Sequence, residues 1–132
     1  MGHVCFPFSK QRSEVFGIVA RPIVMVTLRS RGGKPFDITA LVDSGADVSM
    51  FSPSVGRIMG IQPLGGKRRT FHGLGGMIDA SLHRINLQIG DMRVKARVAF
   101  PKVEIPNILG RLDILRSSSI ILRDEKEVCF EY

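Results

Sequence analysis

Residues 41–47 read Leu-Val-Asp-Ser-Gly-Ala-Asp, so a carboxylate, Asp43, leaves an apolar run directly into a Ser-Gly turn. Desolvating a charge there is costly unless partners compensate it. A local account exists, because Asp and Ser bond their own backbone in tight turns. The chemical account is that a carboxylate fixed at the end of a strand is placed to take or give a proton. Residues 71–78 read Phe-His-Gly-Leu-Gly-Gly-Met-Ile, a glycine-rich stretch between apolar residues. Glycines there allow positive φ and let another backbone approach. No Gly-Lys-Ser/Thr follows, which argues against a phosphate cradle. Ile108-Leu109-Gly110-Arg111 is a third pattern, and alone it describes equally well a strand that stops at a glycine turn. His3, His72 and His83 have no Ser or Cys in a nucleophile elbow, so no histidine-assisted nucleophile is read from them.

Together these residues resemble the aspartic peptidases, in particular the retropepsin-like group. The resemblance spans roughly residues 22–123, and its specific parts are Asp43-Ser44-Gly45-Ala46-Asp47 and Ile108-Leu109-Gly110-Arg111. It implies that Asp43 is the catalytic carboxylate. In the family two such aspartates face each other, share one proton and activate a water against the scissile carbonyl. Two carboxylates about 3 Å apart cannot both ionise cheaply, so one serves as acid while the other serves as base. The resemblance further implies that Ser44 bonds across the two loops and that Gly45 makes the turn between them. Arg111 would pair with Asp47 to brace the loop, and Gly110, 67 positions after Asp43, would open a short helix beneath it. His72, Gly73, Leu74, Gly75, Gly76 and Met77 resemble the flap, a mobile hairpin that closes over an extended peptide.

Ser44 stands where most viral members carry Thr, and Leu112 separates Arg111 from Asp113, which viral members place together. Both halves of a dyad within one chain would need a second Asp-Ser/Thr-Gly. Asp37, Asp47, Asp79, Asp91, Asp113 and Asp124 all have other followers. The implied assembly is therefore a homodimer with the two Asp43 side chains at its two-fold axis. The implied partner is an extended peptide or protein substrate, with no cofactor and no metal. A module of the same fold that binds peptide by strand addition without cleaving it is the other reading, and an intact Asp43 favours cleavage.

The elements that must position these residues read as strands. Apolar runs are short, separated by Gly, Pro and polar turns, and sustained 3.6-residue periodicity is scarce. Residues 23–28 and 36–42 predict a hairpin around the turn at residues 30–33, with Asp43 at the end of its second strand. Residues 84–89 and 93–100 alternate polar and apolar side chains about Gly90-Asp91, predicting a second hairpin. Ser52-Pro53 through Gly60 predicts a short helix with Ser52 as its N-cap. A second short helix is expected over residues 111–116, and a closing hairpin over residues 119–132. The predicted fold is all-β, a single-lobe acid-protease barrel, closed, with one or two short helices. Residues 1–20 form an N-terminal extension and residues 21–132 the protease domain.

The chain has 132 residues, 44% of them hydrophobic, which suits one domain with a core. Its apolar runs are far shorter than the roughly 20 residues a membrane helix needs. The start shows neither a basic n-region with a long apolar run nor a myristoylation signal, so an intracellular, cytoplasmic chain is expected. Cys5 and Cys129 lie near opposite ends without CxxC spacing and are expected as free thiols. The net charge of +7 is scattered. Its densest cluster, Lys67-Arg68-Arg69, lacks interleaved aromatics and is expected as a solvated loop, so no nucleic-acid partner is expected.

Overall fold

The side-chain alternation in the sequence becomes a barrel wall in the computed structural model, which describes residues 1–73 and 75–132. The strands are β1 (His3–Pro7), β2 (Ser9–Ser13), β3 (Gly17–Arg21), β4 (Ile23–Arg29), β5 (Pro35–Val42) and β6 (Ser49–Met50). Helix α1 (Pro53–Ile58) follows, then β7 (Lys67–Gly73), β8 (Gly76–Ile89), β9 (Met92–Pro101), β10 (Ile108–Leu109), β11 (Ser119–Arg123) and β12 (Glu127–Glu131). In the hairpin of β8 and β9, Ile85, Leu87 and Ile89 stand opposite Ala96, Val94 and Met92, and all six are buried. The intervening Arg84, Asn86, Arg93 and Lys95 are exposed, as a strand period of two requires. The β4–β5 hairpin likewise pairs from Ile23↔Leu41 to Arg29↔Pro35.

Six strands close on themselves in the order β4-β5-β10-β6-β9-β8, with Thr27 opposite Gln88 completing the ring. The seam between β4 and β8 is closed by that one bridge. The core is filled from all sides: Val24, Val26 and Leu28 from β4, Phe51 before α1, Phe100 from β9, and Ile114, Val128 and Phe130 from the C-terminal part. Phe51 meets Phe100 edge to face at 6.5 Å. Each fully buried side chain of this size contributes about 1.5–3 kcal/mol relative to exposure. The chain is thus all-β, with a single short α-helix among the described residues, as the sequence predicts.

Four local expectations change. Ser52 precedes α1 and Pro53 opens it, but the Ser52 hydroxyl does not cap the helix. It hydrogen-bonds the Glu104 carboxylate and accepts the Ile105 N–H at 3.0 Å. Residues 111–117 form successive turns rather than a second helix, because Asp113 adopts a φ of 71°, outside the right-handed helical region. Lys67-Arg68-Arg69 begins strand β7 instead of sitting in a loop. Its side chains are solvated nonetheless, since β7 pairs only with β8 and lies outside the closed wall. Finally, β1, β12 and β11 make a separate antiparallel sheet in which Cys5 faces Cys129, and their sulfurs are bonded. The free-thiol expectation fails because two cysteines far apart in sequence are cross-strand neighbours in space. A bond of this kind persists in oxidising surroundings.

β2 and β3 form a two-stranded sheet of their own. Among the described residues, no helix is long and apolar enough to cross a membrane.

Candidate active site

β5 carries the chain to Asp43 between two neighbours. β10 runs parallel to it, Ile108 beside Leu41 and Leu109 beside Val42. The Leu41 N–H donates to the Asn107 carbonyl at 2.9 Å, and the Val42 N–H donates to the Pro22 carbonyl at 2.9 Å. The Asp43 N–H donates to the Leu109 carbonyl at 3.0 Å. The strand is therefore held up to its last residue, and there the chain turns. Asp43 Oδ1 accepts the Gly45 N–H at 2.9 Å, and the Asp43 carbonyl accepts the Ala46 N–H at 3.1 Å. A Cβ on Gly45 would stand 3.3 Å from that same Oδ1, so glycine keeps room beside the carboxylate. Asp43 is half-buried, while Ser44, Gly45 and Asp47 are exposed.

A strap of residues from 108 to 113 crosses beneath this turn. The Gly110 N–H donates to the buried Ser49 hydroxyl at 3.0 Å, the Arg111 N–H to the Ala46 carbonyl at 3.0 Å, and the Leu112 N–H to the Asp47 carbonyl at 2.8 Å. Gly110 is required by proximity rather than by φ: a Cβ there would lie 2.6 Å from the Val48 carbonyl carbon and oxygen. The Arg111 guanidinium donates to the Asp47 carboxylate. Ile108, Leu109, Gly110 and Arg111 thus come together with the loop at 43–47. Both members of the Arg111–Asp47 pair are exposed, so water screens much of its energy.

The far end of the strap is fixed by a pairing that the sequence patterns did not give. Asp113 accepts from the Arg97 N–H at 2.9 Å and from its guanidinium at 3.0 and 3.1 Å. These hydrogen bonds hold the Asp113 carboxyl below its usual range, against the opposing effect of burial, and raise the Arg97 guanidinium. The alternation along β9 pointed Arg97 outward, but nothing in the spacing linked it to Asp113. Asn107 is the second omission. Its side chain accepts the Ser52 N–H at 2.9 Å and donates to the Thr39 carbonyl at 3.0 Å, joining β5, the strap and the start of α1.

Beside the loop lies an open cleft of about 740 Å³. One wall is Gly45 to Val48 with Met50 and Ile108; the other is the end of the β7–β8 hairpin, from Thr70 to Gly73 and from Gly75 to Ile78. His72 pairs with Met77 and Gly73 with Gly76, whose φ of 114° suits glycine. His72, Gly73, Gly75, Gly76 and Met77 therefore line the same cleft as Gly45, Ala46 and Asp47. Leu74 lies outside the described residues. The cleft lining is largely apolar, through Val48, Met50, Phe71, Met77, Ile78 and Ile108. Asp43 itself sits at the margin, bonded to the Gly45 that lines it.

No curated protein matches the chain. A family model described as aspartyl protease matches residues 24–111, a span that begins inside β4, includes the loop at Asp43 and both strands of the cleft hairpin, and ends on Arg111. That span is two thirds of the sequence and takes in the strands of the closed barrel and the start of the strap, and on this ground the chain belongs to the retropepsin-like aspartyl proteases.

Proposed function

We propose that the chain is an aspartic endopeptidase whose active form is a homodimer, each copy supplying one Asp43 to a shared dyad. The supporting observation is the solitary, held carboxylate. Asp43 is fixed by its own N–H and by Gly45 at the margin of a peptide-sized cleft, and no second Asp-Ser/Thr-Gly exists in the sequence. With two carboxylates about 3 Å apart across the axis, one retains a proton and polarises the scissile carbonyl while the other takes a proton from the attacking water. The amine leaves with a proton returned from the dyad, which restores the starting state.

In this reading the strap sets the angle at which each Asp43 meets its counterpart, and Arg111 with Asp47 braces the loop's outer end. Ser44 hydroxyls bond across the two loops. The β7–β8 hairpin is the flap: its backbone groups around Gly73 to Met77 pair with an extended substrate and exclude water when closed. The apolar lining suits apolar side chains on either side of the cut bond. No metal or organic cofactor enters the chemistry.

The deciding experiment is a peptide-library digest across pH 3–8 with wild type beside Asp43→Asn. Wild type should cleave with a bell-shaped rate profile reporting the dyad's two macroscopic constants. Asp43→Asn should be folded and inert. Cleavage by the variant at the wild-type rate removes Asp43 from the mechanism.

A further inference from the structure

The β2–β3 hairpin has no account in the chemistry above. Among the described residues its strands pair only with each other, from Ser9↔Arg21 to Ser13↔Gly17, and a lone two-stranded hairpin is marginal in water. Its tip is nevertheless well built. The Ser13 hydroxyl accepts the N–H groups of Val15 at 3.3 Å and Phe16 at 3.2 Å, and Gly17 turns the chain at a φ of 77°. That turn presents three apolar side chains to water: Val15 is 80% exposed, Phe16 79% and Ile18 64%. Clustered apolar exposure of this kind marks an interaction site.

Where the hairpin is rooted suggests what covers it. β3 runs into Pro22, whose carbonyl holds the Val42 N–H, one residue before Asp43. If two Asp43 carboxylates meet, each Pro22 stands within about 15 Å of the two-fold axis. A five-residue strand extends about 17 Å, so the tip is long enough to reach the other copy. Beside each root lies a groove lined by half-buried Ile23, Leu41 and Ile105 with Pro106, and rimmed by Arg12 and Arg21. It shares no residue with the catalytic cleft. Glu14 stands next to the apolar tip, while Arg12 and Arg21 form no ion pair among the described residues. Glu14 at the tip complements the Arg12 and Arg21 that rim the groove of a second copy.

We propose that the β2–β3 hairpin is a dimer arm. The Val15–Phe16–Ile18 tip of each copy seats in the Ile23–Leu41–Ile105 groove of the other, with Glu14 against the groove's arginines. A two-fold axis makes the exchange reciprocal, tip to groove twice over. The proposal rests on the homodimer reading and names the surface that holds it together.

The test is sedimentation velocity over a concentration series on wild type, Val15→Ser/Phe16→Ser and Ile105→Glu, with circular dichroism to verify folding. All altered side chains are at least partly solvated, and the two variants probe the arm and the groove independently. Each variant should raise the dimer dissociation constant at least about tenfold, given the apolar area withdrawn. An equimolar mixture should associate more tightly than either alone, because one intact arm then meets one intact groove. Variants that dimerise like wild type overturn the arm, as does a mixture that gains nothing. Variants that dimerise normally but lose co-sedimentation with phosphatidylglycerol vesicles reassign the tip to a membrane. A wild type that stays monomeric yet cleaves peptides removes the dyad reading itself, whereas a dimeric, active wild type with unaffected variants removes only the arm.

Discussion

Around Asp43 the backbone is tied from three directions: β10 beside it, Pro22 on the other side, and the strap beneath, itself pinned by Ser49 and by Arg97 through Asp113. The end of the β7–β8 hairpin, which lines the same cleft, is held among the described residues by its own rungs, Phe71↔Ile78, His72↔Met77 and Gly73↔Gly76. One region is fixed by several neighbouring elements and the other by its own two strands. A dyad needs the first property, because proton sharing fades steeply with distance. A cover over an extended peptide needs the second, because substrate must enter and leave. The sequence marks both with glycine for opposite reasons. Gly110 leaves no room for a side chain, and Gly76 supplies a backbone angle.

The contrast gives a ranked set of expectations. Gly110→Ala should do most damage, since its Cβ would press on the Val48 backbone rather than on the end of a flexible side chain. A loss of about 3 kcal/mol, seen as a fall in melting temperature on the order of 10 °C, is expected together with loss of cleavage. An unchanged melt would show that the strap is not tightly packed. Next is Asp113→Asn, expected to melt on the order of 5 °C lower at neutral pH. The folded carboxyl titrates below its unfolded value, so the stability it adds is present above the unfolded value near 4 and is lost as pH falls through the folded one. Melting curves of wild type and Asp113→Asn should therefore converge in strong acid; a constant gap from pH 7 to pH 2 would exclude the ion pair as the cause.

Asp47→Ala should cost less, under about 1 kcal/mol, because both partners are solvated. A double-mutant cycle with Arg111→Ala measures that coupling, and a value of several kcal/mol would mean the pair is desolvated when the dimer forms. Gly76→Ala should move the global melt least, by about 1 °C, because a hairpin end opens locally without unfolding the barrel. Its effect should appear instead in kcat/KM, falling several-fold as the turn resists its positive φ. Equal melting losses for Gly76→Ala and Gly110→Ala would erase the distinction between the two regions.

Much of this was legible beforehand, because period-two alternation and turn glycines are local signals. The β4–β5 and β8–β9 hairpins follow from residues 23–42 and 84–100, whereas the Arg111–Asp47 contact was implied by the family resemblance of residues 43–47 and 108–111. What escaped the sequence was non-local or conformational. Cys5 and Cys129 are 124 positions apart and become neighbours only when β1 lies on β12. Residues 111–117 have helical composition, yet Asp113 gives up the helix at positive φ while its carboxylate takes Arg97. Ser52 has the right type for an N-cap but is claimed by Glu104 from a distant loop. In each case a long-range partner outbid a local preference, which a propensity argument cannot see.

The bond between Cys5 and Cys129 also makes a mechanical circuit. The closed barrel lies wholly inside the covalent ring it creates. Tension applied at the two ends passes from residue 5 to residue 129 through sulfur and bypasses every strand of the wall. Pulled in a force spectrometer, the oxidised chain should yield only the slack of its terminal residues, and the barrel's own rupture should register only after a reductant has opened the ring.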